Sequence, residues 1–425
     1  MIKLIWVRLF LFIFFSDSCV IITEYVFRIK IMQKRGNAMN EKVGIVSLGC
    51  AKNQVDAEMM LFSLEERGYK IVSDPAMADA VAGIGANESI ADIVERCLEG
   101  KQEEIYPDKL LCPLEGRRIQ STPSHYAYLK LGDGCNNRCT YCAIPMIRGK
   151  LRSRSIESLV EEAKQLADNG VKELILIAQD VTRYGLDLYG ELKLPSLLRE
   201  LCKIEGLKWI RLLYCYPDAV TDELIECIAS EEKILNYIDI PLQHCNDRIL
   251  KAMNRRGDKK AIVNVINRLR TKIPDIILRT TFICGFPGET EEEFTELAEF
   301  VKEIKFQRLG CFAYSQEEDT PAAGFDNQID EEIREKRAEI IMEQQTGIME
   351  EYCRSMIGKK IEVVCEGFDR YAECYFGRSA ADSPDVDGKV FFRCSDEGNK
   401  PQIGEFIQVE VEDMIDCDLI GTAVR

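Results

Sequence analysis

The sequence predicts an α/β protein whose main domain is a parallel sheet of repeated βα units, either doubly wound or barrel-like. The first observation is that apolar strand patterns alternate with helical patterns from about residue 125 to about residue 345. The second is a shorter βα stretch before them. The third is a series of four strand patterns after residue 355, with Gly and Asp in the turns, which is typical of a small antiparallel barrel. They are Lys360–Val364, Ala372–Arg378, Gly388–Arg393 and Phe406–Met414. A chain of 425 residues has room for these three units.

The main domain carries six strand patterns, each a short apolar run. They are Tyr126–Leu131, Glu173–Ala178, Trp209–Tyr214, Tyr237–Ile240, Ile277–Phe282 and Gly310–Tyr314. Helical patterns lie between them, such as Ser155–Asn169 and Glu291–Ile304. Because parallel strands bring their carboxyl ends to one edge of a sheet, we expect the active site at that edge.

The N-terminal domain is predicted from a strand pattern that begins at Val43 and a helical pattern, Asn53–Arg67, that Gly68 ends. Upstream, the apolar run Leu9–Phe15 resembles a signal sequence. It is too short to span a bilayer, which takes roughly 18 or more apolar residues. Because a strand begins so soon afterwards, we predict that translation starts at Met39.

These patterns divide the chain into five segments. They are a leader or mis-assigned start (1–38), a truncated N-terminal α/β domain (39–111), a linker (112–124), the main βα domain (125–350) and the C-terminal barrel (351–425).

Charge and cysteine content narrow the function. The net charge is −17, and phosphate-driven binding needs clustered Lys and Arg, so nucleic acid is disfavoured as the substrate. The 18 cysteines mostly stand singly in apolar runs, unlike the dense ladder of a small secreted scaffold, which indicates a reducing cytoplasm. With two histidines, a His-rich metal site is nearly excluded. No membrane partner is expected.

Three cysteines closely follow the first strand of the main domain: Cys135, Cys139 and Cys142, spaced C-x3-C-x2-C. A structural zinc site is closed by four ligands, usually as two separated pairs. Three local thiolates instead suit a [4Fe–4S] cluster with one iron left open. An open iron can chelate S-adenosylmethionine (SAM), and electron transfer into the sulfonium then yields a 5′-deoxyadenosyl radical. A zinc knuckle or a chance grouping is the alternative.

Other residues near the expected edge are candidates for binding SAM. They are Tyr141, Gln179, Asp180, Arg211, Gln243, Gly285 and Gly288. Tyr141 is placed to pack on the adenine, and the two glycines permit close backbone approach to a ligand. A core role for Tyr141 and a plain turn at the glycines are the alternatives. No residue is singled out as catalytic.

Four stretches between Tyr126 and Gln344 carry a family resemblance: YLKLGDGCNNRCTYCAIPMIRG, ELILIAQDVTRYG, YIDIPLQH and TTFICGFPGETEEEF. Their content and order resemble the radical SAM methylthiotransferases. VSLGCAKNQVDAE is similar to the start of that family's N-terminal domain, and GRSAADSPDVDGKVFF to the TRAM domain of its RimO branch. The resemblance implies a partial (βα) radical SAM barrel between a truncated methylthiotransferase domain and a TRAM barrel.

The RimO branch adds a methylthio group to the β-carbon of an aspartate in small-subunit ribosomal protein twelve. The resemblance implies this reaction here, with SAM and iron–sulfur clusters as cofactors and flavodoxin or ferredoxin as the kind of electron donor. The sister MiaB branch modifies an adenosine in tRNA. AKN after the first cysteine, the DVTRYG motif and an acidic C-terminal barrel favour the RimO branch.

The resemblance assigns Cys50 to a second, auxiliary [4Fe–4S] cluster in the N-terminal domain. Family members supply two further cysteines for that cluster, whereas here Asp79 and Ala80 run directly into VAGIGANESIADIVERC. We therefore expect an internal deletion, and one thiolate does not hold a cubane cluster alone. Cys97 and Cys112 are the substitute candidates. A non-catalytic remnant that still binds the ribosomal protein is the alternative function.

Overall fold

A computed structural model describes residues 26–32, 42–47, 50–71, 80–99, 103–394 and 400–424 of the chain. They form two larger sheets, a closed barrel and a two-stranded ribbon, with helices packed around them. Within these ranges no helix is long and apolar enough to cross a bilayer.

The elements are numbered in chain order. The strands are β1 (Val26–Met32), β2 (Lys42–Ser47), β3 (Lys70–Ile71), β4 (Ala80–Gly83), β5 (Glu103–Ile105), β6 (Tyr126–Lys130), β7 (Gly132–Asp133), β8 (Arg152–Ser153), β9 (Glu173–Ile177), β10 (Trp209–Leu212), β11 (Ile234–Asp239), β12 (Ile277–Cys284), β13 (Arg308–Ala313), β14 (Lys360–Asp369), β15 (Cys374–Ser379), β16 (Val390–Cys394), β17 (Phe406–Ile415) and β18 (Asp418–Val424). The helices are α1 (Ala51–Glu66), α2 (Ile90–Leu98), α3 (Ile144–Arg148), α4 (Ile156–Asp168), α5 (Leu194–Cys202), α6 (Asp222–Ser230), α7 (Asp247–Ala252), α8 (Lys259–Lys272), α9 (Glu291–Ile304) and α10 (Glu331–Met356).

The N-terminal sheet has the strand order β3-β2-β1-β4-β5. Its central strand, β1, lies within the stretch that the sequence predicts to be a leader. β1 pairs antiparallel with both β2 and β4, so its backbone polar groups find partners on two sides. The rest of residues 1–38 lies outside the described residues. A start at Met39 and the segment boundaries stay predictions.

The main domain is a parallel sheet in the order β13-β12-β11-β10-β9-β6. The sheet is open between β6 and β13, which confirms the predicted partial (βα) barrel. Strands β6, β9 and β10 are buried along their whole length, as expected of apolar runs covered by helices on one face and by packed residues on the other.

Side-chain caps fix where the main helices start. The Ser155 hydroxyl accepts a hydrogen bond from the Ser158 N–H and starts α4. Thr290 and Glu293 form a reciprocal capping box at the start of α9. Helix α9 accordingly has the bounds predicted from the sequence, and α4 differs from its predicted bounds by one residue at each end.

The C-terminal domain follows α10 and is a closed five-stranded barrel in the order β14-β15-β16-β18-β17. The predicted small barrel is therefore confirmed, with two differences in detail. The fifth strand, β18, was not predicted. It pairs parallel with β16, so the barrel is not antiparallel throughout.

This barrel docks on the edge of the main sheet where strands begin. Asp382 of the barrel accepts a hydrogen bond from Arg308, the first residue of β13. Asp387 accepts one from the Tyr237 hydroxyl at 2.8 Å. The opposite edge, where β6 ends and the cysteine loop begins, is thus left to the N-terminal domain.

Candidate active site

The cysteine loop leaves the carboxyl end of β6 through β7 and leads into α3. Cys135, Cys139 and Cys142 line one cavity of about 120 Å³. Two backbone hydrogen bonds of 3.1 Å hold the loop closed, from the Cys135 N–H to the Gly149 carbonyl and from the Cys142 N–H to the Cys139 carbonyl. The three thiols therefore converge on one space.

Gly134 sets the path of this loop. Its φ of +72° lies in the left-handed region, and a Cβ at this position would lie 2.1 Å from the carbonyl oxygen of Lys150. Only glycine combines that backbone conformation with so close an approach. The segment that contains Lys150 therefore packs directly against the start of the cysteine loop.

The donor set fits a [4Fe–4S] cluster with one open iron, because the loop offers three thiols and no fourth. Burial raises the pKa of the Cys135 thiol to about 11, so metal binding must displace its proton. The Asn137 N–H lies 3.5 Å from the Cys135 Sγ. A backbone donor of this kind stabilises a ligating sulfur.

Three of the residues predicted to bind SAM meet at the same cavity: Tyr141, Gln179 and Gln243. Both amide atoms of Gln179 and the Oε1 of Gln243 are buried without a hydrogen-bond partner. Buried polar atoms are rarely left unsatisfied in a folded protein, so these atoms are suited to a polar ligand. Burial raises the pKa of the Tyr141 hydroxyl, which accepts a hydrogen bond of 3.2 Å from Arg255.

Asp180 has a different position from the one predicted for it. Its carboxylate does not line the cavity but accepts a hydrogen bond of 2.8 Å from the Asn137 side chain within the cysteine loop. It also accepts one of 2.5 Å from the Thr182 hydroxyl. Burial raises the pKa of Asp180. Asp180 therefore stabilises the cysteine loop through Asn137, from outside the cavity.

Gly285 and Gly288, which are predicted to permit close approach of a ligand, do not line this cavity. The Gly285 N–H donates to the Glu289 carboxylate at 3.0 Å, and a Cβ at Gly285 would clash with the Arg334 side chain. The left-handed φ angles of both glycines, +73° and +77°, form the turn between β12 and α9. They thus form a turn, and a role of the two glycines in SAM binding stays a prediction.

Arg211, which is predicted to contact the cofactor, also lies away from this cavity. Arg211 is fully buried away from the cavity, where its guanidinium donates 2.7 Å to Glu173 and 3.0 Å to the Ala380 carbonyl. The sequence placed Arg211 on a strand, but successive residues of a strand point to opposite faces. Arg211 points towards the C-terminal barrel.

The N-terminal domain supplies the facing wall of the cavity. Cys50 and Lys52 stand at the start of α1, and Arg148 at the end of α3 lies beside them. Arg148 donates to Asp56 at 3.0 Å and to Asp133 at 2.9 Å. This buried ion pair ties α1 to the start of the cysteine loop.

Several residues of the cavity were not predicted, among them Cys215 and the cations Lys52, Arg138, Arg148 and Arg255. Cys215 follows β10 and so lies at the carboxyl edge, a position that the strand pattern alone could have indicated. The four cations carry no comparable signal, because single Lys and Arg residues are common on protein surfaces.

The described residues do not fit the auxiliary cluster. Cys50 is half-buried at the cavity, but the described N-terminal domain places no second thiol there. Cys97 packs on the apolar core of that domain. Cys112 lies with Asp56 and Asp133, whose carboxylates already bind buried cations, and burial raises its pKa to about 12. Cys19 lies outside the described residues.

Three family models match the chain. Residues 129–301 match the Radical SAM superfamily, residues 357–424 the TRAM domain, and residues 42–83 the Uncharacterized protein family UPF0004. The open (βα) barrel and its three-cysteine loop thus define a radical SAM enzyme, which uses a [4Fe–4S] cluster and SAM.

Curated relatives identify the family. The chain is 45% identical to the ribosomal protein uS12 methylthiotransferase RimO of Caldanaerobacter subterraneus subsp. tengcongensis, over 89% of this chain and 99% of that protein. It is 39% identical to the RimO of Clostridium tetani, over 89% of this chain and 97% of that protein. The chain belongs to the RimO family of radical SAM methylthiotransferases.

The chain is shorter than its relatives within the aligned region. The alignment with the Caldanaerobacter protein spans 437 positions but uses 89% of 425 residues, about 378, so about 59 positions have no counterpart here. This agrees with the internal deletion expected from the sequence.

Among solved structures, the radical SAM methyltransferase TsrM of Kitasatospora setae with an aza-SAM analogue matches 54% of this chain and 50% of that one, at 15% identity and a TM-score of 0.42.

Proposed function

We propose that this protein adds a methylthio group to the β-carbon of an aspartate in ribosomal protein uS12. The observation that carries this function is the single cavity where the three loop cysteines, two unpartnered glutamines and the start of α1 meet. The names of the relatives supply the ribosomal protein, and the family resemblance supplies the aspartate. The net charge of −17 disfavours the alternative, a tRNA adenosine.

The chain's own residues would each have a limited task. Cys135, Cys139 and Cys142 would hold the [4Fe–4S] cluster, which when bound supplies the electron that cleaves SAM to a 5′-deoxyadenosyl radical. Gln179 and Gln243 offer amide groups to the polar parts of SAM. The start of α1, with Cys50 and Lys52, forms one wall of the cavity.

A second candidate function is favoured by the lone Cys50. Because the described residues place one thiol at the auxiliary site, a protein that binds uS12 and cleaves SAM without transferring sulfur is the alternative.

For either function we infer a cytoplasmic location and an electron donor such as flavodoxin or ferredoxin, since the substrate is a ribosomal protein and the cluster must be reduced.

The test is iron analysis and product analysis on the anaerobically reconstituted full chain. About eight irons per chain would indicate two cubane clusters, and about four a single cluster. A mass gain on the uS12 aspartate with SAM and a reductant supports methylthiotransfer, whereas SAM cleavage without that gain favours the second candidate.

Two variants complete the test. Cys139→Ala is expected to lose the loop cluster and all SAM cleavage, while Cys202→Ala, at the outer end of α5, keeps both. Unchanged iron content and SAM cleavage in Cys139→Ala would refute the assignment of the cysteine loop.

A further inference from the structure

Lys52 is a buried cation that faces the active-site cavity. Its side chain is 3% exposed and lines the same cavity as the three loop cysteines. Its ammonium lies 3.5 Å from the centroid of the Tyr214 ring. Among the described residues, no carboxylate lies within 4.0 Å of this ammonium and no side-chain hydrogen bond reaches it.

The position of Lys52 is electrostatically unfavourable in the protein alone. It is the second residue of α1, where the helix dipole disfavours a positive charge, and no acidic residue lies in that first turn. Burying a cation without an anion is costly, and a cation–π contact offsets only part of that cost. The helix start and Lys52 together form a positive corner suited to an anion.

Two other buried cations of the cavity are already engaged. Arg148 is paired with Asp56 and Asp133. Arg255 donates to the Tyr141 hydroxyl at 3.2 Å and to the Pro241 carbonyl at 2.6 Å. Arg138 also lines the cavity, but it is exposed, so water can solvate its charge. Among the described residues, Lys52 is therefore the buried cation in this cavity that has room for an incoming anion.

We infer that the Lys52 ammonium binds the side-chain carboxylate of the substrate aspartate. This role rests on the proposed function and adds the residue that recognises the substrate. Two carboxylates could enter the cavity, that of the aspartate and that of SAM. Cys135, Cys139 and Cys142 would hold a cluster whose open iron could bind the carboxylate of SAM, whereas Lys52 stands on the facing wall beside Cys50.

Holding this carboxylate would also position the reacting atom. The carboxylate carbon is bonded directly to the β-carbon, so a fixed carboxylate limits which β C–H bond points into the cavity. A substrate with a neutral amide in its place would leave Lys52 buried and unpaired. The site would therefore discriminate aspartate from asparagine by charge.

The test measures binding rather than turnover. The anaerobic holoprotein, loaded with SAM, is titrated against fluorescently labelled uS12 and against uS12 in which the target Asp is changed to Asn. We expect the unaltered chain to bind the aspartate form about 10- to 100-fold more tightly, the range of a charge-assisted hydrogen bond. Lys52→Met should bind both forms equally, and Lys52→Arg should keep part of the preference.

Controls separate this role from its alternatives. Lys260→Met, at an exposed position on α8, should keep the full preference. If Lys52→Met weakens SAM binding and leaves the preference intact, Lys52 binds the carboxylate of SAM and the inference is wrong. An equal loss for both uS12 forms would mean a packing role against Tyr214 and would also overturn it. If the unaltered chain binds neither form, the proposed function itself fails.

Discussion

Arg378 of the C-terminal barrel donates a hydrogen bond of 2.8 Å to the carboxylate of Glu173, the first residue of β9. Arg211 donates to the same carboxylate at 2.7 Å, so Glu173 joins the middle of the main sheet to the barrel. All three side chains are almost completely buried. Arg378 and Glu173 thus anchor the C-terminal barrel to the main domain at the edge opposite the active site.

Loss of Arg378 should destabilise the protein strongly. In Arg378→Met the Glu173 carboxylate loses one of its two cations and Glu366 also loses a partner. Removing one member of a buried ion pair costs about 3–5 kcal/mol. We expect the midpoint of urea unfolding of the holoprotein to fall accordingly, while Arg370→Met, at an exposed turn, leaves it unchanged. Equal midpoints for the two variants would contradict this role.

The same carboxylate predicts a dependence of stability on pH. Burial alone would raise the pKa of Glu173, but the guanidiniums of Arg378 and Arg211 outweigh it and hold the pKa below its ordinary value. The stabilisation is therefore fully present above a pH of about 4.3, the ordinary pKa of Glu, and is lost as the pH falls through the lower folded value.

Glu173→Gln measures this dependence directly. Its deficit in unfolding free energy relative to the unaltered chain should be largest at pH 6–7 and should shrink below about pH 4.3. A deficit that stays constant from pH 7 to pH 4 would show that the charge of Glu173 is not the cause.

Asp56 should matter for the active site although it touches no substrate. Its carboxylate accepts from Lys130 and, at 3.0 Å, from Arg148, and these cations also pair with Asp133 at the start of the cysteine loop. Burial raises the pKa of Asp133, but Lys130 and Arg148 outweigh burial and lower the pKa to about 2.

In Asp56→Asn two buried cations would share one carboxylate. We expect a loss of about 3–5 kcal/mol in unfolding free energy and faster loss of iron to a chelator, measured by absorbance. Asp92→Asn, which removes an exposed partner of Arg67, should change the free energy by less than about 1 kcal/mol and leave iron retention unchanged. Comparable effects in both variants would argue against the coupling.

Gln179 should contribute to SAM affinity. Its amide is buried in the cavity with neither end hydrogen-bonded. If it pairs with SAM, Gln179→Ala should weaken equilibrium binding of SAM to the holoprotein about 10-fold, the effect of one to two neutral hydrogen bonds. Gln165→Ala, on the exposed face of α4, is the matched control. SAM affinity that does not change in Gln179→Ala would exclude this contact.

Much of this fold could be predicted because the sequence signals lie within single helices and strands. Helix α9 has apolar spacing and a capping box, and the six strands of the main sheet are apolar runs between breakers. Strand β18 was missed because its seven residues include Gly421 and short side chains, and its place depends on pairing with β16 and β17.

The site was predictable where its residues share one loop and less so elsewhere. The sequence brings Cys135, Cys139 and Cys142 together through their spacing alone. It does not state which face of a strand is covered by another domain, so Arg211 was expected at the cavity but lies away from it. It also does not state which distant helix closes the cavity, so Lys52 was not predicted.

Gly134 determines where the cysteine loop lies, although it is not itself a ligand. Any larger residue there would drive the chain away from the Lys150 carbonyl and carry all three sulfurs with it. The position of the three sulfurs relative to the rest of the protein is thus set by the absence of a side chain at the residue before Cys135. Substitution at Gly134 would leave every ligand in place in the sequence and still dismantle the centre that they form.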